Sequence, residues 1–314
     1  MTAPSLGEFS LIRRFFSQQT LKNPSTRLGI GDDCALLAIP DGYELAITTD
    51  TMVENIHFFA GADPKQLGHK LLAVNLSDLA SMGAKPLSVT LALTLPKADE
   101  AWLAAFAEGF LSLAAHYGVD LIGGDTTSGP LTLTVQALGL VPRGKALRRS
   151  GAQVGDFIYV TGRLGDAGLG LKINQGYACR HPEAALSRFN QPEPRLAEGA
   201  ALLEVATACI DLSDGLAGDL AHVLAQSQVG AVLNYDDLPL SKEVNAYIDY
   251  TGDWAMPLTA GDDYELCFTV SPENAALITV ACTKIGVIDA IPGLRLQKSG
   301  TIQLFTNKAY EHFS

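Results

Sequence analysis

The chain has 314 residues, 47% hydrophobic and 18% charged, enough to bury the core of one large domain or two ordinary ones. Its formal charge of −12 argues against nucleic acid as the main partner, since backbone binding needs an excess of Lys and Arg, and means that a small phosphate ligand would need cations as counter-charge. No apolar run approaches the roughly 20 residues of a membrane span, and the opening MTAPSLGEFSLIRRFF lacks the order of a signal peptide, so a cytoplasmic location is expected.

A short amphipathic helix is expected over Glu8 to Phe16. ELAITTDT reads as a strand, rich in β-branched residues and ending in hydroxyls plus Asp50. Residues 66–82 read as a helix: Leu67, Leu71, Val74 and Asp78 share a helical face, and Gly83 is a natural stop. Asp78 therefore extends the line of the apolar face, a costly place for a charge unless something binds it. TLALTLP is a further strand. Asp99 is a natural N-cap for a long helix with a buried stripe of Trp102, Phe106, Phe110, Leu113 and Tyr117. VDLIGGDTTSG reads as a strand running into a glycine turn, and LTLTVQALGLVP as the longest strand. The order β-α-β-α-β-β suggests an α+β half rather than a doubly wound sheet.

Residues 142–156 read as an inter-domain linker carrying the densest basic cluster, Arg143, Lys145, Arg148 and Arg149. The expected domains are 1–147 and 148–314. Beyond the linker, FIYVTG is a strand and RLGDAGLGLKIN a glycine-rich helix start. Residues 184–208 are helical but broken at Pro192 and Pro194, and ACIDLSDGLAGDLAHVLAQS is a strand, a turn and a helix. GAVLNYDDLPL reads as a strand, followed by a polar stretch, GDDYELCFTV as another strand, and a closing α/β segment. The five cysteines are unclustered and lack CxxC spacing, so reduced thiols, mostly core or incidental, are expected.

Aspartates recur in short segments flanked by Gly or Thr: GIGDD (Asp32, Asp33), TTDT (Asp50), NLSDLASMG (Asp78), GGDTT (Asp125), DLSDG (Asp211, Asp214) and GDDYEL (Asp262, Asp263). Each alone is ordinary turn or strand-end chemistry. Together they resemble an oxygen-rich site for Mg²⁺ and phosphate, to which Thr48 and Thr49 can add oxygens. GGDTTSGP is the best phosphate-loop candidate, because its glycines let backbone N–H groups approach an anion. The glycine-rich stretch Gly162–Gly170 lacks a complete dinucleotide fingerprint. Arg148 and Arg149 could clamp phosphates or simply be a solvated linker. Asp211 and Asp214 could both face one ion with Ser213 on a phosphate, or Ser213 or Asp214 could cap the following helix. His57, between apolar residues, reads on sequence alone as a packed core histidine. Asp262 or Asp263 with Tyr264 would suit a flat cationic ligand.

Taken in order, GIGDDCA, TTDT, NLSDLASMGA, LIGGDTT, RSGA, YVTG, IDLSDGL and GDDYEL resemble the thiamine-monophosphate kinase family, within the group that includes aminoimidazole ribonucleotide synthetase and selenophosphate synthetase. The resemblance covers nearly the whole chain. It implies an α+β protein of two α/β domains: an N-terminal mixed sheet forming a barrel-like core across a homodimer, and a C-terminal sheet with flanking helices. It implies ATP-dependent phosphorylation of thiamine monophosphate to thiamine diphosphate, with several Mg²⁺ ions. By that resemblance Asp33, Thr48, Thr49, Asp50, Asp78, Asp125, Asp211 and Asp214 match metal-ligand positions. Gly124, Asp125, Arg149 and Ser213 match nucleotide positions, and His57, Asp262 and Tyr310 match positions near the thiamine substrate. Asp262 falls where relatives often carry Glu, and Tyr310 where an aromatic residue of varying identity is expected.

The transfer expected is direct and in-line, with no general base, because a phosphate monoester with a second pKa of about 6 is already mostly ionised near neutral pH. Asp50, Asp125 and Asp214 are the carboxylates expected to matter most for the metal-assisted step. The alternatives are another ATP-using enzyme of the same group or a non-catalytic protein that binds ATP–Mg²⁺. The reactive Cys and nearby Lys expected early in a selenophosphate synthetase are absent before Cys34.

Overall fold

The computed structural model describes residues 8–306. Its contacts divide the chain into two units: the described part of Met1–Leu79 with Ala84–Gly144, and Ala80–Gly83 with the described part of Lys145–Ser314.

The first unit contains α1 (Glu8–Phe15), the short pair β1 (Thr26–Leu28) and β2 (Leu36–Leu37), then β3 (Tyr43–Val53), α2 (Pro64–Ser81), β4 (Lys85–Leu95), α3 (Glu100–Tyr117), β5 (Asp120–Ser128) and β6 (Thr132–Pro142). From β3 onward this is the β-α-β-α-β-β order that the hydrophobic pattern predicts. The sheet order is β3-β6-β4-β5. β4 and β5 are parallel, joined through α3, while β6 runs antiparallel to β3 and β4. Asp99 caps α3, accepting the Trp102 N–H at 3.1 Å, and Gly118 ends the helix in the left-handed conformation. Phe106, Phe110 and Leu113 are buried as expected. α2 is more deeply buried than a single apolar stripe requires, with Leu71, Leu72, Asn75, Leu76 and Ser77 all inaccessible. Among the described residues the rows of β6 alternate, with Leu133, Val135 and Ala137 buried on the helix side and Thr134, Gln136, Leu138 and Leu140 only partly covered on the other. On the open face, Leu45 and Ile47 of β3 lie opposite Leu140 and Leu138 of β6, and Ile47 is 57% exposed.

The second unit contains β7 (Phe157–Thr161), α4 (Asp166–Asn174), α5 (Glu183–Asn190), α6 (Leu196–Ala201), β8 (Ala208–Asp211), α7 (Leu216–Ser227), β9 (Gly230–Asn234), α8 (Lys242–Thr251), α9 (Met256–Thr259), β10 (Leu266–Val270), β11 (Cys282–Asp289), β12 (Gly293–Lys298) and β13 (Thr301–Leu304). Seven strands form one mixed sheet, β13-β12-β9-β11-β7-β10-β8, in which only the β9–β12 pair is parallel. Ile158, Val160, Ile210, Leu220, Leu233 and Ile285 build its core. The fold is therefore the expected mixed α+β arrangement.

Several expectations are corrected in this half. The strand from Gly230 stops at Asn234, because the Asn234 side chain accepts the Asp236 N–H and starts a 3-10 turn over Tyr235–Asp237. The polar stretch after it is helical: Ser241 caps α8 by accepting the Val244 N–H, and Gly252 closes it. GDDYE is an irregular loop with β10 starting only at Leu266, since Asp262 and Tyr264 have φ of 70° and 48°. The closing segment holds three strands and a 3-10 turn, with no α-helix among the described residues. All five cysteines are free thiols, with Cys209 and Cys267 buried.

Candidate active site

In the first unit the carboxylates are placed by an edge strand and the helix beside it. β3 is at the sheet edge, so alternate N–H groups need partners outside the ladder. The N–H of Asp50 donates to the Asn75 side-chain oxygen at 3.1 Å, and the Asn75 amide donates to Leu71 O at 2.9 Å. Thr48 Oγ1 donates to Asp78 Oδ2. Thr48, Asp50 and Asp78 are thereby brought together on the helix-covered side. This explains how a carboxylate is tolerated on the apolar line of α2.

The ladder separates two other expected ligands from this group. Thr49 pairs with Gln136, and Asp125 pairs with Ala92, which pairs with Thr134. Strand side chains alternate, so these rows belong to the open face while Asp50 belongs to the row of Val135. Gly123–Asp125 is part of β5 rather than a free phosphate loop. Only glycine fits at Gly124, where φ is 149° and an added Cβ would lie 1.8 Å from Leu91 O. Asp33 lies in an exposed turn, its N–H donating to Asp32 Oδ1 at 2.9 Å.

His57 lies in the loop after β3 and is half-buried, with its Nδ1 accepting the Val53 N–H at 3.0 Å. That bond fixes the ring with Nε2 as the remaining position for a proton.

In the second unit two loops converge. The first follows β8, whose last residue Asp211 is buried. Gly215 precedes α7 in the N-cap position without a side-chain cap bond, so neither Ser213 nor Asp214 caps that helix. Asp214 is instead held through its N–H, which donates to Asp219 Oδ2 at 3.1 Å. Burial and the neighbouring Asp214 charge raise the Asp219 pKa to about 7, partly opposed by Arg149. Arg149 is exposed, and its carbonyl accepts Ser227 Oγ at 3.3 Å.

The second loop is 261–265. The Asp262 N–H donates to Ser213 O at 2.9 Å and the Tyr264 N–H to Leu212 O at 2.8 Å. Tyr264 OH donates to Asp262 Oδ1 at 3.0 Å. Asp263 turns inward, where both carboxylate oxygens accept the Gly165 N–H at the start of α4, at 3.1 and 2.9 Å. Burial pushes its pKa up to about 8. The glycine-rich stretch thus meets an internal carboxylate at its helix start. Glu265 is fully buried and accepts from Thr161 Oγ1 at 2.7 Å, Arg188 Nη2 at 2.7 Å, Arg195 Nε at 2.6 Å and Arg195 Nη2 at 2.7 Å. Tyr310 lies outside the described residues.

Asn75, Asp219, Arg188, Arg195 and Glu265 were not singled out by sequence. The one available signal was the presence of three acidic residues within GDDYE, of which Asp262 alone is partly exposed. Among the described residues no three His, Cys, Asp or Glu side chains converge closely enough to hold a metal ion. The donor chemistry still fits Mg²⁺, which is commonly held by one or two carboxylates plus water and substrate phosphates rather than by an all-protein cage.

Two family models match the chain: "AIR synthase related protein, N-terminal domain" over residues 31–141 and "AIR synthase related protein, C-terminal domain" over residues 153–295. The chain is 45% identical to the thiamine-monophosphate kinase of Salmonella typhimurium over 320 residues, covering 98% of each. It resembles the crystal structure of thiamine-monophosphate kinase from Stenotrophomonas maltophilia with a TM-score of 0.85 and 41% identity, over 94% of this chain and 98% of that one. AaThiL complexed with AMPPCP and TMP matches with a TM-score of 0.80 and 29% identity, over 100% of this chain and 99% of that one.

Proposed function

The chain belongs to the AIR synthase related family and, within it, to the thiamine-monophosphate kinases, and from that premise we propose that it transfers the γ-phosphoryl group of ATP to thiamine monophosphate, giving thiamine diphosphate. The observation that carries this reading is the near-full-length similarity to kinases of that name, one of them solved with an ATP analogue and TMP.

In the first unit Thr48, Asp50 and Asp78 are proposed as Mg²⁺ ligands on one side of the sheet, with Thr49 and Asp125 on its other face and Asp33 in its turn proposed to serve separate ions; in the second unit Asp211 and Asp214 are proposed as Mg²⁺ ligands. Mg²⁺ at these oxygens would neutralise phosphate charge, the main obstacle to bringing two polyanions together. Gly124, Asp125, Arg149 and Ser213 are assigned to the nucleotide, Arg149 as a counter-charge. His57, Asp262 and Tyr310 are assigned to the thiamine end. The Tyr264 hydroxyl aims the Asp262 carboxylate, which suits a cationic ring. The acceptor phosphate is already ionised near neutral pH, so no side chain need remove a proton. Asp50 contributes a carboxylate whose backbone is pinned by Asn75.

A homodimer and a cytoplasmic location complete the proposal. The open face of the four-stranded sheet, with exposed Ile47, is the surface proposed to meet a second copy. Among the described residues no helix is long and apolar enough to cross a membrane.

Asp50→Asn tests the metal-assisted transfer. It keeps the backbone bond to Asn75 and removes one charge. Turnover should fall by roughly 100- to 1000-fold with an unchanged unfolding transition, and near-normal turnover at ordinary Mg²⁺ would contradict it.

A further inference from the structure

At the buried end of the 261–265 loop, Glu265 collects four side-chain hydrogen bonds from Thr161, Arg188 and Arg195, which come from β7, α5 and the start of α6. Its own carbonyl accepts the Leu212 N–H at 2.9 Å. Arg188 Nη2 also donates to Asp263 O at 2.8 Å. We infer that Glu265, with Arg188 and Arg195, is a positioning residue that locks the 261–265 loop onto the 211–215 loop, so that the phosphate-side carboxylates and the substrate-side carboxylate move as one body.

The geometry supports this at both ends. Above Glu265, the two loops are joined by Asp262 N–H to Ser213 O and Tyr264 N–H to Leu212 O. They approach so closely that a Cβ on Gly261 would lie 2.2 Å from Ser213 O. Asp262 and Tyr264 sit in left-handed backbone, which is strained at a non-glycine residue and persists only where the surroundings over-determine it. The buried charge cluster is that surrounding. Thr161 completes it: its Oγ1 accepts the Leu266 N–H at 2.8 Å while donating to Glu265. Glu265 has no accessible surface and contacts no ligand in this role. Its effect passes through Asp262 on one loop and Asp211 and Asp214 on the other.

The inference rests on the proposed kinase activity, and two readouts keep the two apart. Glu265→Gln preserves shape and weakens the clamp, and Arg188→Lys loosens it more gently should the first variant fail to fold. Steady-state ADP release is measured against thiamine monophosphate and against Mg-ATP. Backbone hydrogen exchange is followed at Leu212, Asp262 and Tyr264. The expected result is a rise in KM for both substrates together, with kcat/KM falling roughly 10- to 100-fold, and joint loss of protection at the three amides. Unchanged kinetics with only a lowered Tm, a KM change confined to one substrate, or retained protection at these amides would overturn it. A wild-type protein that releases no ADP with thiamine monophosphate would overturn the activity instead. In that case the exchange data alone decide the clamp: joint loss of protection supports it and retained protection overturns it.

Discussion

Asp263 and Asp262 are neighbours with opposite fates. Asp262 is partly exposed and bonded to Tyr264 OH, while Asp263 is buried against the Gly165 amide with a pKa near 8. A folded pKa raised above the ordinary carboxylate value means that the native state holds a proton the unfolded chain has lost. Stability from this group therefore falls as pH rises from about 4 to about 8, by at most about 1.4 kcal/mol per pH unit. Asp263→Asn removes that titration, so the stability difference between variant and wild type should tilt in favour of the variant across this window in urea titrations at several pH values. A pH-independent difference would contradict it. Sequence showed that GDDYE carries chemistry but not which carboxylates turn inward, because that depends on the left-handed turns at Asp262 and Tyr264. Asn75 escaped notice for a similar reason: an amide on a helix gains meaning only when an edge strand offers it an N–H.

Elements with a strong local signal were legible. The Asp99 cap, the aromatic stripe of α3 and the alternation of β6 all follow from periods and caps that the sequence states directly. The misread segments had weaker or competing signals. α8 is polar enough to look like a loop, yet its cap at Ser241 and Gly252 stop are present. GGD looked like a turn, yet pairing with β4 carries the strand through it. The contact of α2 with α3 was invisible, because its requirement is space. A Cβ on Gly109 would lie 1.9 Å from Lys65 O, and one on Gly68 would lie 2.2 Å from Phe106 O. Gly109→Ala should destabilise the protein by about 1–3 kcal/mol despite the better helix propensity of Ala. A stabilised variant in chemical denaturation would show that the helices can separate without cost.

At the scale of the whole molecule, one face of the four-stranded sheet carries a row of apolar side chains that the described residues leave partly open. Ile47, Leu45, Leu138 and Leu140 form that surface, and the proposed partner is a second copy of the same face. Ile47→Lys should shift the mass measured by light scattering from twice the chain mass to once, and an unchanged dimer would reject this surface. The α+β class was readable from the β-α-β-α-β-β order, and the kinase family from the aspartate segments in their order along the chain. The arrangement of Thr49 and Asp125 on the other face from Asp50 was not, since it follows from strand register. The most direct test of the central claim is ADP release by the wild-type protein with Mg-ATP and, in separate reactions, thiamine, thiamine monophosphate and aminoimidazole ribonucleotide precursors. The account expects ADP with thiamine monophosphate alone; ADP release with an aminoimidazole precursor instead, or binding of Mg-ATP without ADP release, would contradict it.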